Sequence, residues 1–323
     1  TECKNRNELC TFWQVIGECE ANPSYMQTQC AASCHTCHLI DHEQRCPKLP
    51  DAVPGLTPGD LNKMFQRIVQ KAPGNHTDEL TEEDLKALEE SQTPLYSVRV
   101  HSQPTPEAMG IDAGLEKISP PWVVVFEDFL TPAECEEIIQ LGYKHEYKRS
   151  EDVGALKFDG TFDSVKSSGR TSENAWCSDT SGCRDEEVVQ RVQGRMASVM
   201  DIPVENSEDL QLLKYEKGQF YKTHHDYIPH QRDRQCGPRI LTFFLYLSDV
   251  EAGGGTNFPQ LDITVMPKQG RALLWPSVLN SNPKFEDKRM RHQALPVEAG
   301  TKFAANGWIH LYDYQGPQKR GCT

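Results

Sequence analysis

The chain has 323 residues, 37% of them hydrophobic, and a formal net charge of −13 at pH 7. Its length suits one catalytic domain with one or two smaller units, and its apolar content argues against a wholly disordered chain. The negative charge argues against a nucleic-acid-binding surface, and no run of about 18 apolar residues indicates a membrane-spanning segment in this chain. Because the first residue is Thr1 rather than Met, we expect a mature or shortened chain, in which a removed leader or anchor would leave no trace.

Half of the twelve cysteines lie within the first 37 residues. This density is typical of a disulfide scaffold, because so short a segment cannot bury a sufficient core without cross-links. A zinc site is the alternative, since Cys34-x-x-Cys37 has His35 and His38 beside it. Zinc sites of this kind usually need a second ligand pair at matching spacing, so we expect disulfides.

The residues between these cysteines form a specific pattern, which includes Gly17-Glu18-Cys19, Asn22-Pro23, Tyr25-Met26 and Cys30-x-x-x-Cys34-x-x-Cys37. Residues 3–37 closely resemble the ShK-toxin-like (ShKT) domain. The resemblance implies three disulfides, which are Cys3–Cys37, Cys10–Cys30 and Cys19–Cys34. Toxins of this family block potassium channels with a Lys–Tyr pair, but Tyr25 has no adjacent lysine here, so we expect an accessory or docking module.

The other six cysteines are more scattered. Cys177 and Cys183 are six residues apart in a polar stretch and are expected to close a small loop. The sequence leaves open the pairing of Cys46, Cys135, Cys236 and Cys322. Cysteine usage of this kind predicts the secretory pathway, either the endoplasmic reticulum lumen or the extracellular space. The sequon Asn75-His76-Thr77 fits a glycoprotein of that compartment.

Residues 41–118, after the head at residues 1–40, are predicted to be a partly helical connector. Apolar residues from Leu61 to Val69 follow the spacing of an amphipathic helix that Ala72-Pro73-Gly74 ends. Thr81-Glu82-Glu83-Asp84 starts a second, shorter helix, whose charges we interpret as a solvated face. We expect an extended linker over residues 92–118.

Residues 119–318 are predicted to be mainly β with flanking helices, an α+β arrangement. Trp122–Phe126 reads as a strand, Thr131-Pro132 starts one helix and another spans about 185–200. Short strand-like runs then follow at regular spacing, and turn signals separate them; the runs are 210–215, 239–247, 263–266, 271–275, 292–297 and 302–311. This alternation favours an antiparallel jelly roll with helices packed outside.

The chemistry concentrates in His224-His225-Asp226. Residues i and i+2 of a strand share a face, so His224 and Asp226 are predicted to point together and His225 away. With His292 as the candidate third ligand they would complete a 2-His-1-carboxylate triad, which is typical of non-haem iron(II) oxygenases. Lys302, ten residues further on, is placed to hold the distal carboxylate of a chelating 2-oxoglutarate.

The residues around this segment extend the pattern in chain order; they are Tyr215-x-x-Gly218-Gln219-x-Tyr221-x-x-His224-x-Asp226, Arg239-x-x-Thr242-x-x-x-Tyr246-Leu247, Gly253-Gly254-x-Thr256-x-Phe258-Pro259, Gly270-x-Ala272-Leu273-x-Trp275, and His292 with Lys302 and Trp308. Over about 120–316 the chain resembles the prolyl 4-hydroxylase alpha-subunit family of iron/2-oxoglutarate dioxygenases. Members often have Cys before the Pro-Val that follows the distal histidine, where this chain has Leu295.

That resemblance implies a double-stranded β-helix, and it implies a role for ten residues. The iron ligands would be His224, Asp226 and His292. Tyr215, Thr256 and Lys302 match 2-oxoglutarate-binding positions. Tyr221, Arg239, Trp308 and His310 match peptide-side or active-site positions.

Several of these residues also have plain structural interpretations. Tyr215, Tyr221 and Trp308 could be core aromatics, and His310 could be a core histidine with satisfied hydrogen bonds. Arg239 could be a salt-bridge partner, and Thr256 could end the glycine turn.

The resemblance implies a peptidyl-proline 4-hydroxylase that uses iron(II), 2-oxoglutarate and dioxygen, releases succinate and carbon dioxide, and takes ascorbate as reductant. A proline-rich substrate is already extended as polyproline II, and the loop over 150–183 is a candidate lid. One alternative is a peptidyl-lysine or other side-chain hydroxylase, which would need an acidic anchor that the motifs do not supply. The other is a non-catalytic secreted binding protein, which the intact triad and Lys302 disfavour.

Overall fold

Two antiparallel β-sheets pack against each other in the C-terminal part of the chain. The computed structural model describes residues 2–323, apart from the side chain of Asp78. The large sheet has eight strands and the small sheet has four. This is the jelly roll that the strand pattern predicts.

The strands are β1 Ser97–Ser102, β2 Val123–Glu127, β3 Lys148–Arg149, β4 Asp152–Leu156, β5 Phe162–Val165, β6 Glu173–Cys177, β7 Leu210–Tyr215, β8 Tyr221–His224, β9 Arg239–Tyr246, β10 Ala252–Gly253, β11 Thr256–Phe258, β12 Ile263–Val265, β13 Ala272–Pro276, β14 His292–Ala294, β15 Val297–Ala299 and β16 Lys302–His310. The α-helices are α1 Cys10–Val15, α2 Glu18–Ala21, α3 Pro23–Gln29, α4 His42–Arg45, α5 Asp60–Gln70, α6 Glu82–Glu90, α7 Ala113–Ile118, α8 Pro132–Lys144, α9 Glu187–Met200 and α10 Gln315–Lys319. None of them, within residues 2–323, is both long and apolar enough to cross a bilayer. The strand order is β1-β2-β13-β9-β16-β7-β6-β3 in the large sheet and β12-β11-β14-β8 in the small sheet.

Period-two alternation along the central strands builds two cores. On β9, Phe243 and Leu245 face α8 and α9, whereas Phe244 and Tyr246 face the small sheet. The helix-facing core contains Ile138 and Met196, and the core between the sheets contains Trp275, Phe258 and Val265. Alternate residues of each central strand therefore line the space between the sheets, and the residues between them pack against the helices.

The middle of the chain belongs to this core more than the sequence suggests. Leu61 and Phe65 of α5 are buried with α8 and α9. The linker predicted over 92–118 is wrong, because Ser97–Ser102 pairs antiparallel with β2 at the edge of the large sheet. Val98 and Val100 alternate there with exposed neighbours, which is a short strand signal among many polar residues. The boundary at residue 118 stays a prediction.

Ten cysteines form five disulfides in the described part of the chain. Cys3–Cys37, Cys10–Cys30 and Cys19–Cys34 confirm the pairing that the ShKT resemblance implies, and Cys177–Cys183 confirms the small loop. The head therefore has no Cys-x-x-Cys zinc site. Cys46 pairs with Cys322, whereas Cys135 and Cys236 are buried free thiols. A chain with five disulfides belongs in an oxidising, secretory or extracellular compartment.

Candidate active site

Strand register brings the three predicted metal ligands together. β8 and β14 pair antiparallel with His224 directly opposite His292, and Asp226 lies two residues beyond β8. One ligand atom from each side chain lies within 4.8 Å of the others. His292 Nε2 is 3.4 Å and His224 Nε2 3.8 Å from the Asp226 carboxylate. His225 points away and its Nε2 donates to the Asp287 carbonyl at 2.8 Å.

Hydrogen bonds hold both ligand histidines in the tautomer that can bind a metal. Nδ1 of His224 donates to the Lys222 carbonyl and Nδ1 of His292 to the Met290 carbonyl, each at 2.9 Å. The Nε2 lone pairs are then free to face Asp226. Burial lowers the pKa of His224 to about 3 and also lowers the pKa of His292, so both rings are neutral at physiological pH.

Asp226 is ionised although it is buried. Burial raises its pKa, but His292, His224 and a hydrogen bond from Thr242 together outweigh burial and lower the pKa to about 2. Thr242 Oγ1 donates to Asp226 Oδ2 at 2.7 Å and thereby orients the carboxylate. Two neutral imidazoles and one carboxylate are the donor set that suits non-haem iron(II), so these residues fit the predicted metal. The sequence motif contained Thr242 but assigned it no role.

Lys302 is a buried cation without a carboxylate partner among residues 2–323. It is fully buried, and its Nζ donates to the Gly254 carbonyl at 2.7 Å. The rings of Tyr215, Phe244 and Tyr246 lie 5.2–5.4 Å from Nζ. Burial lowers the pKa of Lys302 to about 7. A buried ammonium that lacks an anion fits a ligand that brings its own carboxylate.

The other two predicted 2-oxoglutarate residues come from both sheets, Tyr215 from the strand next to Lys302 and Thr256 from the small sheet. Tyr215 is paired with Lys302 across β7 and β16. Thr256 begins β11, and its hydroxyl accepts a hydrogen bond of 2.7 Å from Tyr246. Tyr246, whose place in a sequence motif indicated no role, fixes Thr256 through its hydroxyl and contacts Lys302 through its ring.

Arg239 and His310 are joined by a buried carboxylate that the sequence analysis missed, Glu208. Arg239 donates to Glu208 through Nε and Nη2, and His310 Nε2 donates to Glu208 Oε1 at 2.7 Å. The His310 Nδ1 donates to the Gly237 carbonyl at 2.8 Å. The interpretation of Arg239 as a salt-bridge partner is thus confirmed, since Glu208, 31 residues earlier in the chain, balances its charge.

The Glu208 network also fixes the ionisation of its members. Burial lowers the pKa of His310, but contacts with Cys236 and Glu208 outweigh it and raise that pKa to about 9. Burial raises the pKa of Glu208, but Arg239 and His310 lower it to about 2. The Trp308 ring covers the Arg239 guanidinium at 3.7 Å. His310 is therefore tied to Arg239 through Glu208, and its role in the site stays a prediction.

Tyr221 covers the candidate metal ligand His224. Its ring stacks on His224 with centroids 3.6 Å apart, and the Arg170 guanidinium lies 4.7 Å from the ring. Its hydroxyl donates to Asp152 Oδ1 at 3.1 Å. Arg170 is buried and donates to Gln211, so it belongs to the site although no motif selected it.

A groove of about 910 Å³ opens beside these residues, between the β4–β5 hairpin and strand β6. The hairpin side includes Asp152, Val153 and Phe162, and the opposite side includes Trp176 and Gln211. Trp176 lies 6.0 Å from Trp308, which connects the groove to the Arg239 network.

Two parts of the chain match models of known protein families. Residues 210–310 match the 2OG-Fe(II) oxygenase superfamily model, and residues 2–37 match the ShK domain-like model. The chain is 34% identical over 225 residues to probable prolyl 4-hydroxylase 8 of Arabidopsis thaliana, covering 63% of this chain and 73% of that protein. Probable prolyl 4-hydroxylase 7 of the same plant is 32% identical over 224 residues, covering 62% and 67%. A viral collagen prolyl hydroxylase from Paramecium Bursaria Chlorella virus-1 is similar over 58% of this chain and 95% of that chain, at 25% identity and a TM-score of 0.46.

Proposed function

Because the chain belongs to the prolyl 4-hydroxylase family of 2-oxoglutarate- and iron(II)-dependent oxygenases, we propose that it hydroxylates C4 of proline residues in peptides. The observation that carries this proposal is the pairing of two features at one site. The His224–Asp226–His292 donors converge, and Trp275 links them to the buried Lys302, since its ring lies 4.8 Å from His292 and 6.3 Å from Phe244. Phe244 in turn lies 5.2 Å from the Lys302 ammonium.

The triad would hold iron(II), and Lys302 with Tyr215 and Thr256 would bind the distal carboxylate of 2-oxoglutarate. When bound, iron(II) with 2-oxoglutarate and dioxygen supplies the oxidising chemistry that converts a C–H bond to C–OH, with succinate and carbon dioxide as co-products. Thr242 orients the Asp226 carboxylate, and the aromatic rings around Lys302 exclude water from its ammonium. Ascorbate as reductant belongs to the same proposal.

The peptide would enter through the groove between the β4–β5 hairpin and Trp176. Nη1 of Arg239 makes no hydrogen bond in the described part of the chain, so it is the donor we assign to a peptide carbonyl. Nε1 of Trp308 is also unpaired, but it is buried in this structure. Glu208 is the buried carboxylate that could have anchored a lysine ammonium, but Arg239 and His310 already occupy it. A neutral ring therefore suits the site better than a charged side chain.

The compartment follows from the same family and from the disulfides. We propose the endoplasmic reticulum lumen or the extracellular space, with a glycan at Asn75 as part of that proposal. The Asn75 amide already exchanges two hydrogen bonds of 2.9 Å with the Val98 backbone. A glycan on Asn75 Nδ2 would have to leave one N–H of that nitrogen free to donate to the Val98 carbonyl.

Mass spectrometry of proline-rich peptides tests the proposed reaction. Incubation with iron(II), 2-oxoglutarate and ascorbate should produce 4-hydroxyproline and succinate in equal amounts. Matched peptides with lysine in place of proline should give no hydroxylysine. Hydroxylysine as the main product would overturn the proline assignment while leaving the metal and co-substrate assignments intact.

A further inference from the structure

The tip of the β4–β5 hairpin packs against the ShKT head. Asp159, between the two strands, is only 3% exposed. Its Oδ2 accepts hydrogen bonds from Gln29 Nε2 at 2.9 Å and from Thr28 Oγ1 at 3.4 Å, both at the end of α3 in the head. Its Oδ1 accepts from the Thr161 backbone and hydroxyl within the hairpin.

Backbone groups of the tip are held as well. Arg45 donates to the Asp159 carbonyl at 2.6 Å, and Arg234 donates to the Gly160 carbonyl at 2.6 Å. Gly160 has a φ of 81°, and a Cβ there would lie 2.5 Å from the His42 ring. The Arg6 guanidinium stacks over Phe158 at 4.1 Å. The tip therefore fits against the head, the segment 42–45 that follows it and Arg234, with no room for a side chain at Gly160.

The base of the same hairpin reaches the candidate active site. Asp152 accepts hydrogen bonds from Tyr221, which stacks on His224, and from Ser167 at 2.6 Å. Between base and tip the strands pair only with each other. Val153, Leu156 and Val165 are exposed there. An isolated two-stranded hairpin is marginally stable in water, so this one depends on its two attached ends.

We infer that the ShKT head clamps the β4–β5 hairpin, which forms one wall of the substrate groove. Asp159, at the tip of the hairpin, is the central positioning residue of this clamp. This inference rests on the proposed function, and it assigns the head to binding of extended, proline-rich peptides. With the tip held, Val153 and Phe162 face Trp176 across a groove of fixed width. A polyproline II segment gains most from such a preformed groove, because neither partner loses much conformational freedom on binding.

The test separates the state of the hairpin from catalysis. Asp159→Asn keeps the size of the side chain but turns an amide towards the Gln29 amide, so a buried donor faces a donor. Amide hydrogen exchange over 150–166 should then accelerate at least tenfold in the protein without substrate. The dissociation constant for a poly-L-proline peptide, measured by calorimetry, should rise about tenfold. Binding of 2-oxoglutarate in the absence of peptide should not change.

Asp128→Asn and Gln27→Ala are the control variants, and Gln29→Ala is a second test variant. Asp128→Asn removes the same charge from an exposed turn residue that has a positive φ, which Asn also tolerates. Gln29→Ala removes only the head side of the contact and protects the test if Asp159→Asn fails to fold. Its control is Gln27→Ala on the same helix, since the Gln27 side chain makes no hydrogen bond within residues 2–323.

Unchanged exchange over 150–166 in both Asp159→Asn and Gln29→Ala would overturn the clamp. Faster exchange with an unchanged poly-L-proline affinity, or a wild-type protein that does not bind poly-L-proline, would also overturn it. A wild-type protein that binds poly-L-proline tightly but forms no hydroxyproline would instead contradict the proposed function and leave the clamp intact.

Discussion

Asp226 supplies the only negative charge among the three candidate ligands, so the metal site depends on it more than on either histidine. Asp226→Ala should abolish iron binding and succinate formation with little loss of fold, because packing of the two cores holds the sheets. Iron content after reconstitution measures metal binding, and the midpoint of thermal unfolding measures whether the fold is retained. Retained succinate production would contradict the ligand assignment. Thr242→Val, which removes the orienting hydrogen bond alone, should weaken iron binding about 10- to 100-fold.

Lys302 should control the affinity for 2-oxoglutarate without affecting the metal. A charge-assisted hydrogen bond is worth about 1.5–3 kcal/mol, so Lys302→Ala should raise the 2-oxoglutarate requirement roughly tenfold to a hundredfold. Iron affinity in the absence of co-substrate should stay nearly the same. Calorimetric titration with 2-oxoglutarate measures the co-substrate affinity, and metal titration measures the iron affinity. An unchanged co-substrate affinity would place the carboxylate anchor elsewhere.

The lowered pKa of Lys302 also predicts how co-substrate binding depends on pH. The ammonium is charged below pH 7 and loses its proton above it, because burial has lowered its pKa to about 7. A dianionic ligand needs the charged form, so binding above pH 7 must take up a proton. The 2-oxoglutarate affinity should therefore be constant below pH 7 and fall up to about tenfold per pH unit above it. In Lys302→Ala this dependence should disappear, and a wild-type affinity that does not change between pH 7 and 9 would contradict the assignment.

At the scale of elements, Glu208 joins the start of β7 to Arg239 on β9 and His310 on β16. Glu208→Gln would leave a buried guanidinium and a buried imidazolium without their anion, at a cost of about 3–5 kcal/mol. Urea unfolding at pH 7 measures the loss. Glu205→Gln, on an exposed neighbour, should change stability by less than about 0.5 kcal/mol. Equal losses in the two variants would show that the network does not stabilise the sheet.

The same network gives stability a pH dependence of predictable sign. His310 has a folded pKa of about 9, above its unfolded value of 6.5, because Cys236 and Glu208 outweigh burial. Its protonation therefore contributes stability that is complete below pH 6.5 and is lost as pH rises through 9. Unfolding free energies at pH 6 and pH 9.5 should differ in the wild-type protein. The difference should shrink in His310→Gln; an equal difference in both proteins would assign it to other groups.

At the scale of the whole molecule, Cys46–Cys322 attaches the connector, six residues after the head, to Cys322 across a separation of 276 residues. Closing so long a loop restricts the unfolded chain and typically stabilises by about 2–4 kcal/mol. Replacing both cysteines with serine should lower the thermal midpoint by several degrees and accelerate amide exchange at residues 37–46. Replacing Cys177 and Cys183 instead, which close a loop of six residues, should have the smaller effect on the midpoint. The reverse order would contradict this account.

The sequence by itself determined what depends on local periodicity and on spacing. Short strand-like runs at regular spacing, with turn signals between them, predicted the sheets. The order of motifs selected His224, Asp226, His292 and Lys302, and the cysteine spacing of the head implied its three disulfides. Helix starts at Thr81 and Thr131 were also readable, since a capping box is a local hydrogen-bond pattern, and both are present.

Only the tertiary structure decided which distant side chains meet. Glu208 lies 31 residues from Arg239 and Asp159 lies 130 from Gln29, and no local pattern records such pairs. The same applies to Cys46 with Cys322 and to the strand at 97–102, which is ordered by pairing with β2. The physical reason is that periodicity reports which face of its own element a residue occupies. The partner on another element is set by how the elements pack, and burial of a charge then makes that partner obligatory.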